Sequence, residues 1–366
     1  MKLTLVAGAR PNFIKIAPIV NAINKYSSLG HKIEYRIVHT GQHYDNLMSH
    51  TFFEELNIPR PDVNLGCGGG SQAEQTAAIM VKFEKDLILN PTDLVIVVGD
   101  VTSTMACSIV AKKLNTKVAH VEAGIRSYDL RMPEEINRMV TDCLADYFFT
   151  TTEWAGNNLK VTGVDDNKIF FVGNVMIDSL LTNWDRFRKP LLWDELSLQE
   201  KSYLLITLHR PANVDEGQKL NTYIAEIVDN VQGLPVIFPI HPRTAKVFNN
   251  LKIDKPNLVI TEPLSYLEFN YLMERAKAVL TDSGGITEET TVMGVPCFTL
   301  RDNTERPETV KLGTNELIGT DPSAIKPALE KLFSGKWRKG TIPELWDGKT
   351  AERIVDHLIE IFKLKL

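Results

Sequence analysis

Residues Leu94–Val98 read LVIVV and are followed at once by Gly99-Asp100. A strand with one wet face alternates apolar and polar residues, so a run that is apolar at every position is covered on both faces. That is the setting of a central strand in a parallel sheet, between helices that carry the chain from one strand to the next. The run commits its part of the chain to an α/β fold. Its surroundings repeat the pattern, with short apolar strands expected at Leu3–Ala7, Ile33–His39, Lys117–Val121, Tyr147–Thr150 and Ile169–Val172. Asp185–Lys201, mixed in charge and holding Pro190, interrupts the alternation. A second series then predicts strands at Tyr203–Thr207, Pro235–Ile240, Leu258–Ile260, Ala278–Leu280 and Pro296–Leu300. Two βα-repeating halves imply two Rossmann-like domains facing a central cleft, residues 1–175 and 176–349. Residues 350–366 place Ile354, Val355, Leu358, Ile359 and Phe362 on one side of a helix expected to pack back on the first domain.

A chain of 366 residues with 43% hydrophobic and 24% charged residues can bury sizeable cores in about two domains. The net charge of −5 supplies neither a basic face for nucleic acid nor a polybasic patch for a membrane. Cys67, Cys107, Cys143 and Cys297 show no CxxC spacing, which argues against a zinc site or a disulfide framework and fits a reducing compartment. The first strand follows Met1-Lys2 directly, leaving no room for a signal peptide, and no apolar run approaches the ~18 residues of a membrane span. A cytoplasmic protein is expected. No strand is followed by G-x-G-x-x-G and no GxxxxGK[ST] occurs, so neither bound NAD nor a P-loop is expected, and no cofactor is assigned.

Ligands of open α/β sheets bind outside the carboxyl ends of the strands, so the residues just past each strand matter most. The first strand turns through Gly8-Ala9 into a helix bearing Arg10 and Lys15, which either reach an anion above the strand end or are solvated cations. Two strands end on carboxylates, Asp100 and Glu122; Glu134, at a helix start, joins them in one crevice or merely caps its helix. In the second half two strands in a row end in histidine, His209 and His241. The stretch TDSGGITEE (281–289) reads as a strand end, a sharp turn at Asp282–Gly285 and a helix over Ile286–Met293. A helix N-terminus there suits a phosphate; Gly284 and Gly285 let it approach, Ser283 adds a hydroxyl, and Glu289 can accept hydrogen bonds from ribose. Phe269 is a base platform or a core aromatic, and the loop CGGGSQ (67–72) a mobile lid or plain connection.

The motifs GARPNFIK (8–15), TGQH (40–43), GDVTST (99–104), HVEAGIRS (120–127), PEEINR (133–138), LHRPANVD (208–215), TDSGGITEE (281–289) and RDNTERPE (301–308) together resemble the non-hydrolysing UDP-N-acetylglucosamine 2-epimerases, in order and over the whole chain. The resemblance implies a GT-B architecture, a homodimer, and reversible conversion of UDP-GlcNAc to UDP-ManNAc without NAD or metal. It also implies nucleotide contacts at Arg10, Lys15, His241, Phe269, Ser283, Gly284, Gly285, Glu289 and Arg306, and a catalytic set of Asp100, Glu122, Glu134 and His209. Gln42, His43 and Arg210 match the pattern of a second, activating UDP-sugar site, from which Asp45 and the glycines at 68–70 depart. Leu264 stands where many members have Gln, so a side-chain contact is lost there. MPEEINR with GGGS also resembles relatives that epimerise UDP-2,3-diacetamido-glucuronate.

Inverting C2 of such a sugar needs an exit for charge, because its C2–H is barely acidic. Elimination of UDP from C1 gives a 2-acetamidoglucal, which is protonated on its other face before UDP adds back. Arg10, Lys15, Arg306 and the Gly284-Gly285 turn answer the leaving group's charge, and the carboxylates supply acid and base. A GT-B glycosyltransferase would need an acceptor platform, and a nucleotide-sugar sensor would need no such set of acids.

Overall fold

The computed structural model of the chain describes residues 1–41, 53, 55–240, 242–248, 251, 253 and 255–364. These divide into a first unit, Met1–Thr182 with Glu344–Leu366, and a second, Asn183–Pro343.

The first unit holds strands β1 (Lys2–Ala7), β2 (Glu34–His39), β3 (Val63–Asn64), β4 (Leu94–Val98), β5 (Lys117–Val121), β6 (Tyr147–Thr150) and β7 (Ile169–Phe171). Its longer helices are α1 (Arg10–Ser28), α2 (Gln72–Leu89), α3 (Thr102–Lys113), α4 (Pro133–Leu144), α5 (Glu153–Val161) and α6 (Val175–Asn183). The sheet order is β3-β2-β1-β4-β5-β6-β7, every pair parallel. LVIVV is β4, buried at all five positions as its composition requires. One face packs Val95 and Val97 against Ile79, Phe83 and Leu87 of α2 and Val110 of α3, each side chain contributing about 1.5–3 kcal/mol on burial. Asn12 staples the start of α1 to the end of β4. Its Oδ1 accepts the Gly8 and Ala9 N–H groups at 3.0 Å, and its Nδ2 donates to Val98 O at 3.0 Å.

The second unit holds β8 (Leu204–Thr207), β9 (Val236–Pro239), β10 (Leu258–Thr261), β11 (Ala278–Thr281), β12 (Cys297–Thr299) and β13 (Asn315–Leu317). Its helices include α7 (Gly217–Asn230), α8 (Tyr266–Arg275), α9 (Gly284–Met293), α10 (Pro307–Lys311) and α11 (Ile325–Phe333). The order β10-β9-β8-β11-β12-β13, again all parallel, is that of a Rossmann sheet. The helix expected to begin at Ile286 begins two residues earlier, at Gly284. Ser283 is its extended N-cap (φ −89°, ψ 130°), so the two glycines form its first turn instead of a separate bend before it. The chain then returns to the first unit, where α12 (Thr350–Ile361) begins on Asp178: its carboxylate accepts the N–H groups of Thr350 at 3.1 Å and Ala351 at 2.7 Å. Lys25 and Tyr26 of α1 hold Glu352 and Asp356 of α12, each at 2.6 Å. Among the described residues no helix is long and apolar enough to cross a membrane.

In both sheets the strand order reverses once, between β1 and β4 and between β8 and β11. The connections leaving those paired strands diverge to opposite faces of the sheet, and a crevice opens at the carboxyl ends.

Candidate active site

At the first reversal the chain leaves β4 through Gly99, whose φ of +66° admits no side chain without strain, and whose Cβ would lie 3.0 Å from Lys15 Nζ. Asp100 follows. Its carboxylate meets Arg138 Nη1 of α4 at 2.5 Å, and its carbonyl accepts Asn137 Nδ2 at 2.8 Å. Glu122, just past β5, is buried and bound to Lys15 Nζ at 2.6 Å. Its φ of +70° is unusual for a residue with a side chain, a conformation that costs about 1–2 kcal/mol and that the surrounding contacts must enforce. Lys15 therefore ends on a carboxylate in this structure. Glu134 sits in the first turn of α4, half-buried. Its neighbour Glu135 is fully covered; it accepts the N–H groups of Ser127 and Tyr128 and binds Arg138 at 2.6 Å. Burial pushes the Glu135 carboxyl up, but the Ser127 N–H and the Arg138 guanidinium outweigh it and hold the group below its usual range.

At the second reversal Asp282 is the organiser. Wholly buried, it accepts the His209 N–H at 3.2 Å, the Arg210 N–H at 2.9 Å and Asn213 Nδ2 at 3.1 Å, while His209 Nδ1 lies 2.9 Å away. Desolvation would raise the Asp282 carboxyl, yet the bonds and charge of His209 and the donors of Arg210 and Asn213 keep it below its usual range. An ionised Asp282 fixes His209 with Nδ1–H inward. The ring, 49% exposed in its side chain, keeps Nε2 for another partner.

Gly284 opens α9 with no room to spare, since a Cβ there would lie 2.8 Å from Glu305 Oε1. Glu305 is paired to Arg301 at 2.6 Å; burial works against its ionisation, but Arg301, with Arg306 and Arg210, brings its carboxyl to about 2. Arg306, also buried, has Nε 2.5 Å from Glu288 of α9. Glu289 points inside, where Tyr266 donates a hydrogen bond at 3.0 Å, and desolvation pushes its carboxyl up to about 7. Phe269 is half-buried in the apolar cluster that also holds Leu264 and Ile286. Arg10, the first residue of α1, is half-buried; desolvation lowers its pKa against the opposing charge of Glu55. The loop at 67–70 leads into a capped helix, Ser71 Oγ accepting the Glu74 N–H at 3.2 Å while Glu74 accepts the Ser71 N–H at 2.7 Å. Gln42, His43, Asp45 and His241 lie outside the described residues.

The family model described as UDP-N-acetylglucosamine 2-epimerase matches residues 27–359. A UDP-N-acetylglucosamine 2-epimerase of Methanocaldococcus jannaschii is 42% identical over 368 residues, covering 97% of this chain and 98% of its own. The crystal structure of the M. jannaschii UDP-GlcNAc 2-epimerase with UDP-GlcNAc and UDP superposes with a TM-score of 0.88 at 42% identity, over 98% of this chain and 100% of that one. The chain belongs to the UDP-N-acetylglucosamine 2-epimerase family. A Pseudomonas aeruginosa relative, a UDP-2,3-diacetamido-2,3-dideoxy-D-glucuronate 2-epimerase, is 38% identical over 365 residues, 99% of this chain and 100% of its own. The protein is thus an isomerase, a sugar-nucleotide 2-epimerase of GT-B-type α/β fold.

In this epimerase the structure adds three residues that the sequence reading left without a role. Arg138 bridges Asp100 and Glu135, Asn137 holds the Asp100 backbone, and Asp282 orients His209. Arg138 had a signal: in PEEINR, residues three and four apart share a helix face, which puts it beside Glu134 and Glu135. Asp282 had none, because nothing in TDSGG says that the acid turns inward toward a strand end 73 residues earlier.

Proposed function

We propose that this epimerase interconverts UDP-GlcNAc and UDP-ManNAc by elimination and re-addition of UDP. The second unit holds the nucleotide: Ser283, Gly284 and Gly285 at the start of α9 with Arg306 take the diphosphate, Glu289 the ribose, and Phe269 and His241 complete the nucleotide contacts. Arg10 and Lys15 add positive charge toward the leaving group. Asp100, Glu122, Glu134 and His209 serve the sugar. One carboxylate takes H2 as a proton, the C1–O bond breaks with its electron pair going to the β-phosphate of UDP, and a C1=C2 double bond remains. A second acid returns a proton to the opposite face of C2, and the UDP oxygen adds back to C1. The observation that carries this is the placement of two carboxylates, Asp100 on Arg138 and Glu122 on Lys15, at the carboxyl ends of β4 and β5 in a 2-epimerase. His209, with Nδ1 turned to Asp282, offers Nε2 to the leaving phosphate.

The P. aeruginosa relative favours a second reading, in which the sugar is the 2,3-diacetamido uronate. Incubation of each UDP-sugar in D2O separates the two. UDP-ManNAc carrying deuterium at C2, formed from UDP-GlcNAc without any acceptor, is expected. Turnover of the uronate alone would replace the sugar but keep the reaction, and turnover only with an acceptor would overturn both. The same proposal includes a homodimer working in the cytoplasm; a monomeric mass by light scattering would refute the dimer.

A further inference from the structure

His120 lies on β5 two residues before Glu122, with Val97 of β4 as its partner in register, and is fully buried. Both ring nitrogens are bonded: Nε2 to the Gly99 carbonyl at 2.8 Å, Nδ1 to Asp142 Oδ1 at 2.7 Å. A carbonyl can only accept. Asp142 is closed in by an arginine and a backbone N–H, both donors, and a carboxylate so placed also only accepts. Its other oxygen takes Arg126 Nη1 at 2.6 Å and the Gly124 N–H at 3.1 Å. With two acceptor-only partners, both ring nitrogens must donate.

Resting on the epimerase function proposed above, we infer that His120, as a buried imidazolium, is a positioning residue for Asp100. It grips the peptide joining Gly99 to Asp100 from below and sets its charge beneath the acids. Gly99 is fixed to β5 at both ends, its N–H donating to Val121 O at 3.0 Å and its carbonyl accepting from the His120 ring. That double attachment turns the following residue outward, where Asn137 takes its carbonyl and Arg138 its carboxylate. Loss of the ring donor leaves the Gly99 carbonyl buried without its side-chain partner and frees the peptide to rotate, which moves Asp100 without touching a nucleotide contact.

The test uses two variants of the full chain. His120→Asn puts its amide where Nδ1 was, keeping the donor to Asp142 and losing the one to Gly99; His120→Gln puts its amide where Nε2 was and keeps the donor to Gly99. The expected result is a kcat lower by about 10²-fold in His120→Asn, with KM and UDP affinity within about twofold, and recovery of most of that loss in His120→Gln. Equal losses in both variants, a KM rising in step, or an unchanged kcat in His120→Asn would overturn the inference. Nitrogen NMR of histidine-labelled wild-type protein, with His120 assigned by its disappearance in the Gln variant, should show two N–H nitrogens in that ring. One bare nitrogen would also overturn it, and this readout needs no substrate. A wild-type chain that turns over neither UDP-sugar would refute the proposed function instead, with the NMR pattern still deciding the state of His120.

Discussion

Replacing Asp282 by Asn is the sharpest test of how the second unit is organised. The carboxylate accepts from four donors, the N–H groups of His209 and Arg210, His209 Nδ1 and Asn213 Nδ2. An asparagine side chain offers one oxygen, able to accept about two of them, and brings two N–H donors into a site already lined with donors. At least two buried donors lose their partner at about 1–3 kcal/mol each, so a loss of about 2–6 kcal/mol is expected. Urea unfolding followed by tryptophan fluorescence measures it. The sign with pH is fixed too. Because the folded carboxyl lies below its usual 3.8, its contribution is fully present above that value and disappears as pH falls through the depressed one. The gap between wild type and Asp282→Asn should therefore be constant near neutrality and close in acid. The kcat should fall as well, since nothing then keeps Nδ1–H of His209 inward. A stability loss below about 0.5 kcal/mol, or a gap that stays open in acid, would refute the assigned role.

Glu289→Gln should flatten another pH dependence. With a folded carboxyl raised from 4.5 to about 7, the native state holds a proton longer than the unfolded chain, so wild-type stability should decline across that interval and the variant's should not; parallel pH–stability curves would contradict the burial argument. Asp178→Ala removes the acceptor at the start of α12 and should cost about 1–2 kcal/mol, with hydrogen exchange quickening first over residues 350–361. Phe83→Ala empties a fully buried position between α2 and the sheet and should cost about 3–5 kcal/mol by denaturant titration, leaving KM unchanged in the folded fraction.

The fold class was readable because continuous apolar runs have few solutions. LVIVV and AVLT end up as the strands on one side of the two order reversals, and no other sheet type covers both faces of such segments. The strands that escaped notice, β3 (VN) and β13 (NEL), lie at sheet edges and carry one apolar residue each, so no apolar run marks them. The early start of α9 escaped because glycine carries no preference that separates a turn from a first helical turn.

The site was readable only one partner deep. A strand end marks a residue as placed, so Asp100, Glu122 and His209 could be singled out, but which group each one touches depends on side chains far along the chain. Lys15 reaches Glu122 across 107 residues and His209 reaches Asp282 across 73. Those partners decide the chemistry. Asp100 and Glu122 each face a cation, whereas burial pushes the Glu289 carboxyl up to about 7 even though Tyr266 donates a hydrogen bond to it. Glu134 and Glu135 make the point within one helical turn: adjacent and identical in the sequence, one is half-buried while the other is consumed in holding Arg138 and the 127–128 backbone. Chemistry can therefore be assigned to a carboxylate here only once its counter-charge is known, and in the first unit that counter-charge is Arg138 for Asp100 and Lys15 for Glu122.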